Sequence, residues 1–386
     1  MVSSNDGSDA VNPDASPASP APDSDLIRNR VDPATGLPIS RWGIGTVAPG
    51  RRVIVRRRLS AAEAKESGRK VTDLIGHVVS VAPFRVRPQK SAGVRADESV
   101  PAVEFDPAEL IVVKALPDRP VRNSDIRNIE FATAMAFPGV EHRWVDGWLL
   151  RAGDGITERS NSAIPLEPSA STTRVPLAAV TEFYARHDLP VRICIPDRIC
   201  RPAQQLVARA GWTLGPEILV MARSLGDDAP PLPAATPADF APAAPSGLRA
   251  EVLDKPDDAW LSMYHFRGHA LPEQALSLLQ KEIDGRMCFG RMVDAEGSTV
   301  AITRGTLTES PDGRTWLGFS AVEVAEHLRR RGIGTLMGLH MLHWGQQQGA
   351  DAAYLQVIER NAAGIALYRA LNFTEHHRHR YAELTA

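Results

Sequence analysis

Arg329, Gly332 and Gly334 are spaced as R-x-x-G-x-G inside the run 322–338, V-E-V-A-E-H-L-R-R-R-G-I-G-T-L-M-G. The pattern predicts a strand ending at Val324, a glycine turn, and a helix from about Gly334 to Gln348. Glycines let a backbone approach a ligand closely, and the free amides at a helix start point at an anion. Arg329, Arg330 and Arg331 add positive charge. Such a turn suits a pyrophosphate. A dinucleotide fingerprint would need a third glycine where Met337 stands, and it would follow a βαβ unit rather than an antiparallel meander. A P-loop is excluded because no Lys-Ser/Thr pair follows the glycines. Taken alone, the two glycines also fit a tight strand-to-helix turn with no ligand.

A second run follows a predicted strand at 354–357: E-R-N-A-A-G-I-A-L-Y-R-A-L-N-F, residues 359–373. At this separation from the first motif it resembles the GNAT acetyltransferase superfamily, whose late motif reads N-x-x-(A/G)-x-x-L-Y-x-x-x-G-F. Asn361, Gly364, Leu367, Tyr368 and Phe373 match. Asn372 replaces the glycine, and asparagine also tolerates the left-handed conformation that ends a helix. The resemblance covers about 248–386.

The resemblance implies acetyl-CoA as co-substrate and no metal. Backbone groups of Val322 and Val324 would pair with the pantetheine arm, and the Val324 amide would polarise the thioester carbonyl. Amides from Arg329 through Arg330, Arg331, Gly332, Ile333 and Gly334 to Thr335 would cradle the pyrophosphate. Tyr368 takes the position of the general acid that protonates the departing thiolate. Asn361 has two open readings, a contact to the pantetheine arm and a helix N-cap. Glu323 is the candidate general base. Strand alternation puts it on the face opposite Val322 and Val324, so a β-bulge would decide which side it meets; a surface carboxylate is the competing reading. Glu359 is the reserve. His376, His377 and His379 are expected to be solvated.

The elements that must position these residues read as follows. Short β-rich runs at 288–293, 299–307 and 316–324 form a meander after helical patterns at about 256–284. Residues 225–247, rich in proline and alanine, read as an extended linker. Residues 123–224 resemble a degenerate GNAT-like half, since 198–203 carries no glycine. Its Arg151, Arg159 and Asn161 would either contact the acceptor or form structural ion pairs. Residues 37–117 hold β-rich runs at 52–55, 77–81 and 110–113, which predict a small SH3-like β-barrel. A basic run there (Arg41, Arg51, Arg52, Arg56, Arg57, Arg58) carries no acid and is expected to be a solvated face. Residues 1–36, mostly Ser, Pro, Ala and Asp, read as a disordered tail. The fold class is therefore α/β (α+β): a mixed central GNAT sheet flanked by helices, in tandem with a degenerate half and a small barrel.

Composition narrows the function. The 386 residues carry 44 Lys+Arg against 46 Asp+Glu, so no global field recruits nucleic acid or an anionic membrane. Three cysteines without metal-site spacing argue against a disulfide scaffold and a CxxC centre. No signal-peptide pattern and no apolar run of membrane-spanning length occurs, which sets a cytoplasmic expectation. The layout is similar to an actinobacterial tandem-GNAT group, and within it to corynebacterial-type N-acetylglutamate synthases of arginine biosynthesis. That similarity implies a small-molecule amine partner, L-glutamate, with Arg159, Arg286 and Arg304 as suppliers of contacts to two carboxylates. Two rivals stand beside it. One is an acetyltransferase for a protein, peptide or other small amine; the other is a non-catalytic RNA- or protein-binding scaffold or acetyl-CoA sensor.

Overall fold

The computed structural model describes residues 30–39 except 34, then 47–89, 99–116, 121–226, 229, 231–266, 269–270 and 283–385. The tail up to residue 29, Arg41 and positions 271–282 of the expected helical stretch lie outside these residues. The chain forms two units, Met1–Asp118 and Arg119–Ala386.

In the first unit, β1 (Arg30–Val31), β2 (Pro38–Ile39), β3 (Arg52–Arg58), β4 (Val71–Val81), β5 (Phe84–Pro88), β6 (Val103–Glu104) and β7 (Leu110–Ala115) make one sheet. Its order is β1-β2-β7-β3-β4-β5-β6, and among the described residues it does not close into the expected barrel. Alternation buries Val53 and Val55 of β3 with Val78, Phe84, Val86 and Val113. The short helix α1 (Ala61–Ser67) is fixed by a reciprocal cap, Ser60 hydroxyl to Glu63 amide and Glu63 carboxylate to Ser60 amide. The basic run is not an unpaired cationic face. Arg56 makes two bonds of 2.7 Å to the Asp73 carboxylate, and Arg57 pairs with Glu63 at 2.6 Å. These acids come from the neighbouring β4 and from α1, where a linear reading of β3 does not see them.

The second unit begins with α2 (Asn123–Ala136), the hairpin β8 (Glu141–Val145) and β9 (Trp148–Ala152), and β10 (Ile164–Pro165). It continues through α3 (Leu177–Arg186), β11 (Arg192–Pro196), α4 (Arg201–Val207), β12 (Trp212–Leu214) and β13 (Ile218–Ser224). Then come α5 (Pro237–Phe240), β14 (Arg249–Leu253), α6 (Asp258–Met263), β15 (His265–Phe266) and β16 (His269–Ala270). The meander is β17 (Arg286–Val293), β18 (Thr299–Glu309) and β19 (Thr315–Val324). The chain closes with α7 (Ile333–Gln347), β20 (Ala352–Ile358), α8 (Ala362–Ala370) and β21 (Thr374–Leu384).

Nine strands form one sheet in the order β11-β21-β13-β20-β19-β18-β17-β14, with β12 also on β21. The strand β13, last of the first half by sequence, lies between β20 and β21, while β21 pairs with β11 and β12 of the first half. Each half thus completes the other's sheet. The α7 face of the sheet holds the largest core, in which Leu336, Met337, Leu339, Met341 and Leu342 of α7 meet Leu317, Phe319 and Leu355. Opposite, α2 covers Val220, Trp316 and Tyr354. Leu232, Ala235, Phe240 and Ala244 pack on the α7 core, so the proline- and alanine-rich stretch runs along the domain instead of hanging as an extended tether. Pro233 and Leu225 carbonyls there contact His343 and Gln346 of α7 at 2.8 and 3.1 Å.

Candidate active site

The strands β19 and β20 run parallel and stay paired only from Trp316–Ala352 to Phe319–Leu355. Beyond that point they separate, and a gap opens at Ser320 and Gln356. On its other edge, β19 is bulged against β18. Ala301 faces Val324, Ile302 faces Glu323 and Arg304 faces Ser320, so three steps on β18 span four on β19. The extra residue sits at Ala321, whose φ is 53°. Residues directly opposite share a face. The bulge therefore brings Glu323 onto the face of Ile302, Arg304 and Ser320, while Val324 packs under α7. The bulge decides the side, and Glu323 meets the α2 side.

The glycine turn follows. Arg330 and Gly332 are both left-handed, at φ 63° and 83°. A side chain at Gly332 would place its Cβ 1.8 Å from the Phe240 carbonyl oxygen, so only glycine fits. Leu336 is the first α7 amide bonded back to the turn, at Gly332 O. The amides of Ile333, Gly334 and Thr335 are the donors that a helix start leaves without an i−4 carbonyl. A Cβ at Gly334 would lie 2.7 Å from Leu367 Cδ1 and 3.5 Å from Val324 Cγ2, which shows how closely β19, α7 and α8 converge. Arg330 and Arg331 are exposed beside these amides. Arg329 donates from Nε to the Val324 carbonyl at 3.1 Å, so a pantetheine contact at that carbonyl would displace the guanidinium. Val322, on the same strand, is half-buried.

Tyr368 packs edge-on to Phe373, with centroids 5.9 Å apart, against the α7 core. Burial pushes its phenol well above the ordinary value, which keeps it a neutral proton donor. Asn361 caps α8, its Oδ1 accepting from the Gly364 amide at 2.9 Å. Asn372 ends that helix at φ 62°, the conformation that the missing glycine would adopt. Glu359 is held by Arg378 at 2.8 Å, in a network with Glu217 and Glu375.

A small cavity lies on the α2 side of the gap. Thr306 of β18 with Gly318, Phe319 and Ser320 of β19 form one wall, Tyr354 and Gln356 a second, and Thr133, Phe137 and Arg159 the rest. Thr133, Ser320, Tyr354 and Gln356 escape a motif search because single polar residues spread over one helix and two strands carry no local signature. Arg304 and Arg159 both stack on Phe137, at 4.5 and 4.4 Å from the ring centroid. Arg304 is 1% exposed. Its hydrogen-bond partners are Ser320 Oγ, Ala136 O and Met287 Sδ, and burial pushes its pKa down to about 10. Arg151, also buried, reaches the Phe137 carbonyl and Ser162. The α2 C-terminus, with its negative dipole end and orphan carbonyls, thus receives two buried guanidiniums. Arg286 is not brought to them. It is exposed opposite Leu307, on the α7 face. Asn161 accepts from the Gly153 and Gly155 amides and serves its own loop.

In the first half, the counterpart of the β19–β20 pair is β10 beside β11, joined by a single parallel bridge, Ala163–Ile193. The segment that corresponds to the glycine turn is therefore 166–176, between β10 and α3, rather than 198–203. It contains no glycine and is tightened by a 3₁₀ turn, Pro168–Ser171.

His377 and His379 are buried, contrary to the solvated placement that their polar sequence context predicts. Both contact Glu130 Oε1 of α2, at 2.8 and 2.6 Å. His376, half-buried, meets His377 at 2.8 Å. Glu130 has no sequence signal, because its partners are 247 and 249 residues away.

Comparison with known proteins identifies relatives of this chain. Residues 123–382 match the family model described as probable histone acetyltransferase Rv0428c C-terminal, and 47–114 match the Rv0428c N-terminal Sm-like domain. The first unit is accordingly Sm-like where the sequence led us to expect SH3-like. The probable histone acetyltransferase Rv0428c of Mycobacterium tuberculosis is 35% identical over 333 residues, 86% of this chain and 94% of that protein. The uncharacterized N-acetyltransferase YobR of Bacillus subtilis is 27% identical over 268 residues, 66% of this chain and 97% of that protein. A GCN5-related N-acetyltransferase from Kribbella flavida superposes with a TM-score of 0.49 at 15% identity, covering 68% of this chain and 96% of that one.

Proposed function

The chain belongs to the family of the probable histone acetyltransferase Rv0428c and is a GNAT acetyltransferase, and on that premise we propose how it carries an acetyl group from acetyl-CoA to a primary amine within one ternary complex. The observation that carries this reading is the meeting, at the C-terminal end of β19, of a strand gap, a bulge and a glycine turn with free amides. The amides of residues 330–335 and the guanidiniums of Arg329, Arg330 and Arg331 suit a diphosphate. Acetyl-CoA supplies the activated thioester carbonyl. The Val324 amide hydrogen-bonds the carbonyl oxygen as charge grows on it.

Glu323, turned to the α2 side by the bulge, takes the proton of the attacking ammonium, directly or through a water. The amine nitrogen then bonds to the carbonyl carbon, the carbon–sulfur bond breaks, Tyr368 gives its phenolic proton to the leaving sulfur, and the second proton of the acylated nitrogen restores the Tyr368 phenol while Glu323 releases its proton to solvent. Amide and free thiol result.

We assign the α2 side of the gap to the acceptor; the cavity at Phe137, about 10 Å³ and water-sized, must widen to admit it. Arg159, half-buried in the cavity wall, favours an acceptor carrying a carboxylate, and Arg304, buried and stacked on the same Phe137 ring, adds positive charge beside it. L-Glutamate, with two carboxylates, remains our acceptor assignment, without Arg286. The identity to a protein named as a probable histone acetyltransferase favours a second reading, a protein lysine acceptor. Mass spectrometry of a panel holding L-glutamate, other amino acids, polyamines and a histone peptide separates the two. Acetylation of L-glutamate above the rest is expected; selective acetylation of the peptide would replace it.

A further inference from the structure

Glu130 is 1% exposed and, among the described residues, pairs with no lysine or arginine; its hydrogen bonds come from two imidazoles on β21. A buried carboxylate is retained only where such bonds offset its lost hydration. The same face of α2 carries Thr133 and Phe137, one and two turns further on, and both line the cavity. Thr133 Oγ1 accepts from Gln356 at 3.5 Å, and Gln356 and His377 both lie opposite Val220, in one row across β20, β13 and β21. Thr308 donates to the Ala132 carbonyl at 2.9 Å and Arg304 to the Ala136 carbonyl at 3.2 Å. Polar contacts therefore pin α2 to the sheet along its cavity face, with the Glu130 carboxylate at the N-terminal end of the row and the Arg304 guanidinium at the other.

We propose that Glu130 is a positioning residue for the acceptor site: bridged to His377 and His379, it fixes the register of α2 on the sheet and so places Thr133 and Phe137 in the cavity wall. The inference rests on the reading of that cavity as the acceptor site. The cluster is a hydrogen-bonded one. Both imidazoles stand at hydrogen-bond distance from one carboxylate oxygen, and a closed structural zinc site would need a fourth ligand.

The test is Glu130→Gln in the full chain, which keeps the volume and removes the charge. Hydrogen exchange is expected to accelerate in peptides covering α2 and to stay unchanged in α7. With L-glutamate, or whichever amine of the panel is acetylated fastest, the acceptor KM should rise about tenfold while kcat and the acetyl-CoA KM stay within about twofold. A parallel loss in kcat and both KM values, or an unchanged acceptor KM, would overturn the proposal. So would a stoichiometric metal ion in the purified protein. Should Glu130→Gln fail to fold, Thr308→Val, which removes only the contact to Ala132, must raise the acceptor KM selectively; if it does not, the proposal falls. The exchange measurement does not depend on the acceptor, so a failure to turn over L-glutamate would remove that assignment and leave this one standing.

Discussion

Tyr368 is the residue on which the chemistry turns most sharply. Its ring packs edge-on to Phe373, and burial raises its pKa, so the phenol stays protonated and its motif position is what assigns it to the departing thiolate. Replacing it with phenylalanine keeps the packing. Steady-state kinetics should show kcat falling by about 10²-fold, with acetyl-CoA affinity by calorimetry nearly unchanged. An unaltered kcat would assign the ring to the core alone. The motif made Tyr368 legible because its register is local. Glu130 was not legible, and neither were the acids that neutralise Arg56 and Arg57, because their partners come from elements distant in sequence.

The Glu130–His379 pair also sets a pH dependence of stability. Burial would raise the Glu130 pKa, but the His379 charge and the two imidazole bonds outweigh it and hold the carboxyl well below its usual range. Burial would lower the His379 pKa, yet the hydrogen bond with Cys194 and the Glu130 carboxylate raise it well above normal. In the unfolded chain the groups titrate near about 4.3 and 6.5. Between those values both states hold the same charges, so the pair stabilises most there. Below, the unfolded carboxylate binds a proton and the contribution falls; above, the unfolded imidazole releases one and it falls again. Of the facing groups, burial raises Cys194 and Tyr381 and lowers His376 to about 3, so all three stay neutral across the window. Asp197, raised by burial, lies in His377's field. The melting-temperature gap between wild type and Glu130→Gln should be widest near about pH 5–6; a gap that widens steadily toward alkaline pH would contradict this ionisation.

At the scale of elements, the site is made by an irregularity in a strand and by a turn. The bulge at Ala321 holds a non-glycine residue left-handed. Ala321→Gly should keep full activity. Ala321→Val, β-branched at positive φ, should lose about 1–2 kcal/mol in urea unfolding, together with turnover, as Glu323 leaves its face. Equal stability of the two variants would mean that the bulge is not strained. For the turn, Gly334→Asp brings a Cβ against Leu367 and a carboxylate toward the diphosphate. Calorimetry should show acetyl-CoA binding at least about tenfold weaker; wild-type affinity would refute the placement. The turn could be read from six contiguous residues. The bulge could only be anticipated as a condition, since a one-residue shift shows only once β18 supplies the register.

For the whole second unit, the exchange of β13 and β21 means that neither half has a complete sheet by itself. The sequence divides at its proline-rich stretch, but the hydrogen bonds do not. Residues 119–386 should unfold in one calorimetric transition, and deletion of β21 should abolish the folding of both halves. A soluble, cooperatively folded fragment 248–386 would show that the halves are independent domains. The order meander, turn, helix, strand, helix was legible because local periodicity sets it; the exchange was not, because it depends on which strand edges meet across about 150 residues.

Where the donor binds is the most direct test of this site. Crystals grown with acetyl-CoA should show its diphosphate against the amides of Ile333, Gly334 and Thr335, and its thioester in the gap between Ser320 and Gln356. A saturated complex with the donor bound elsewhere, and this turn unchanged and empty, would contradict it.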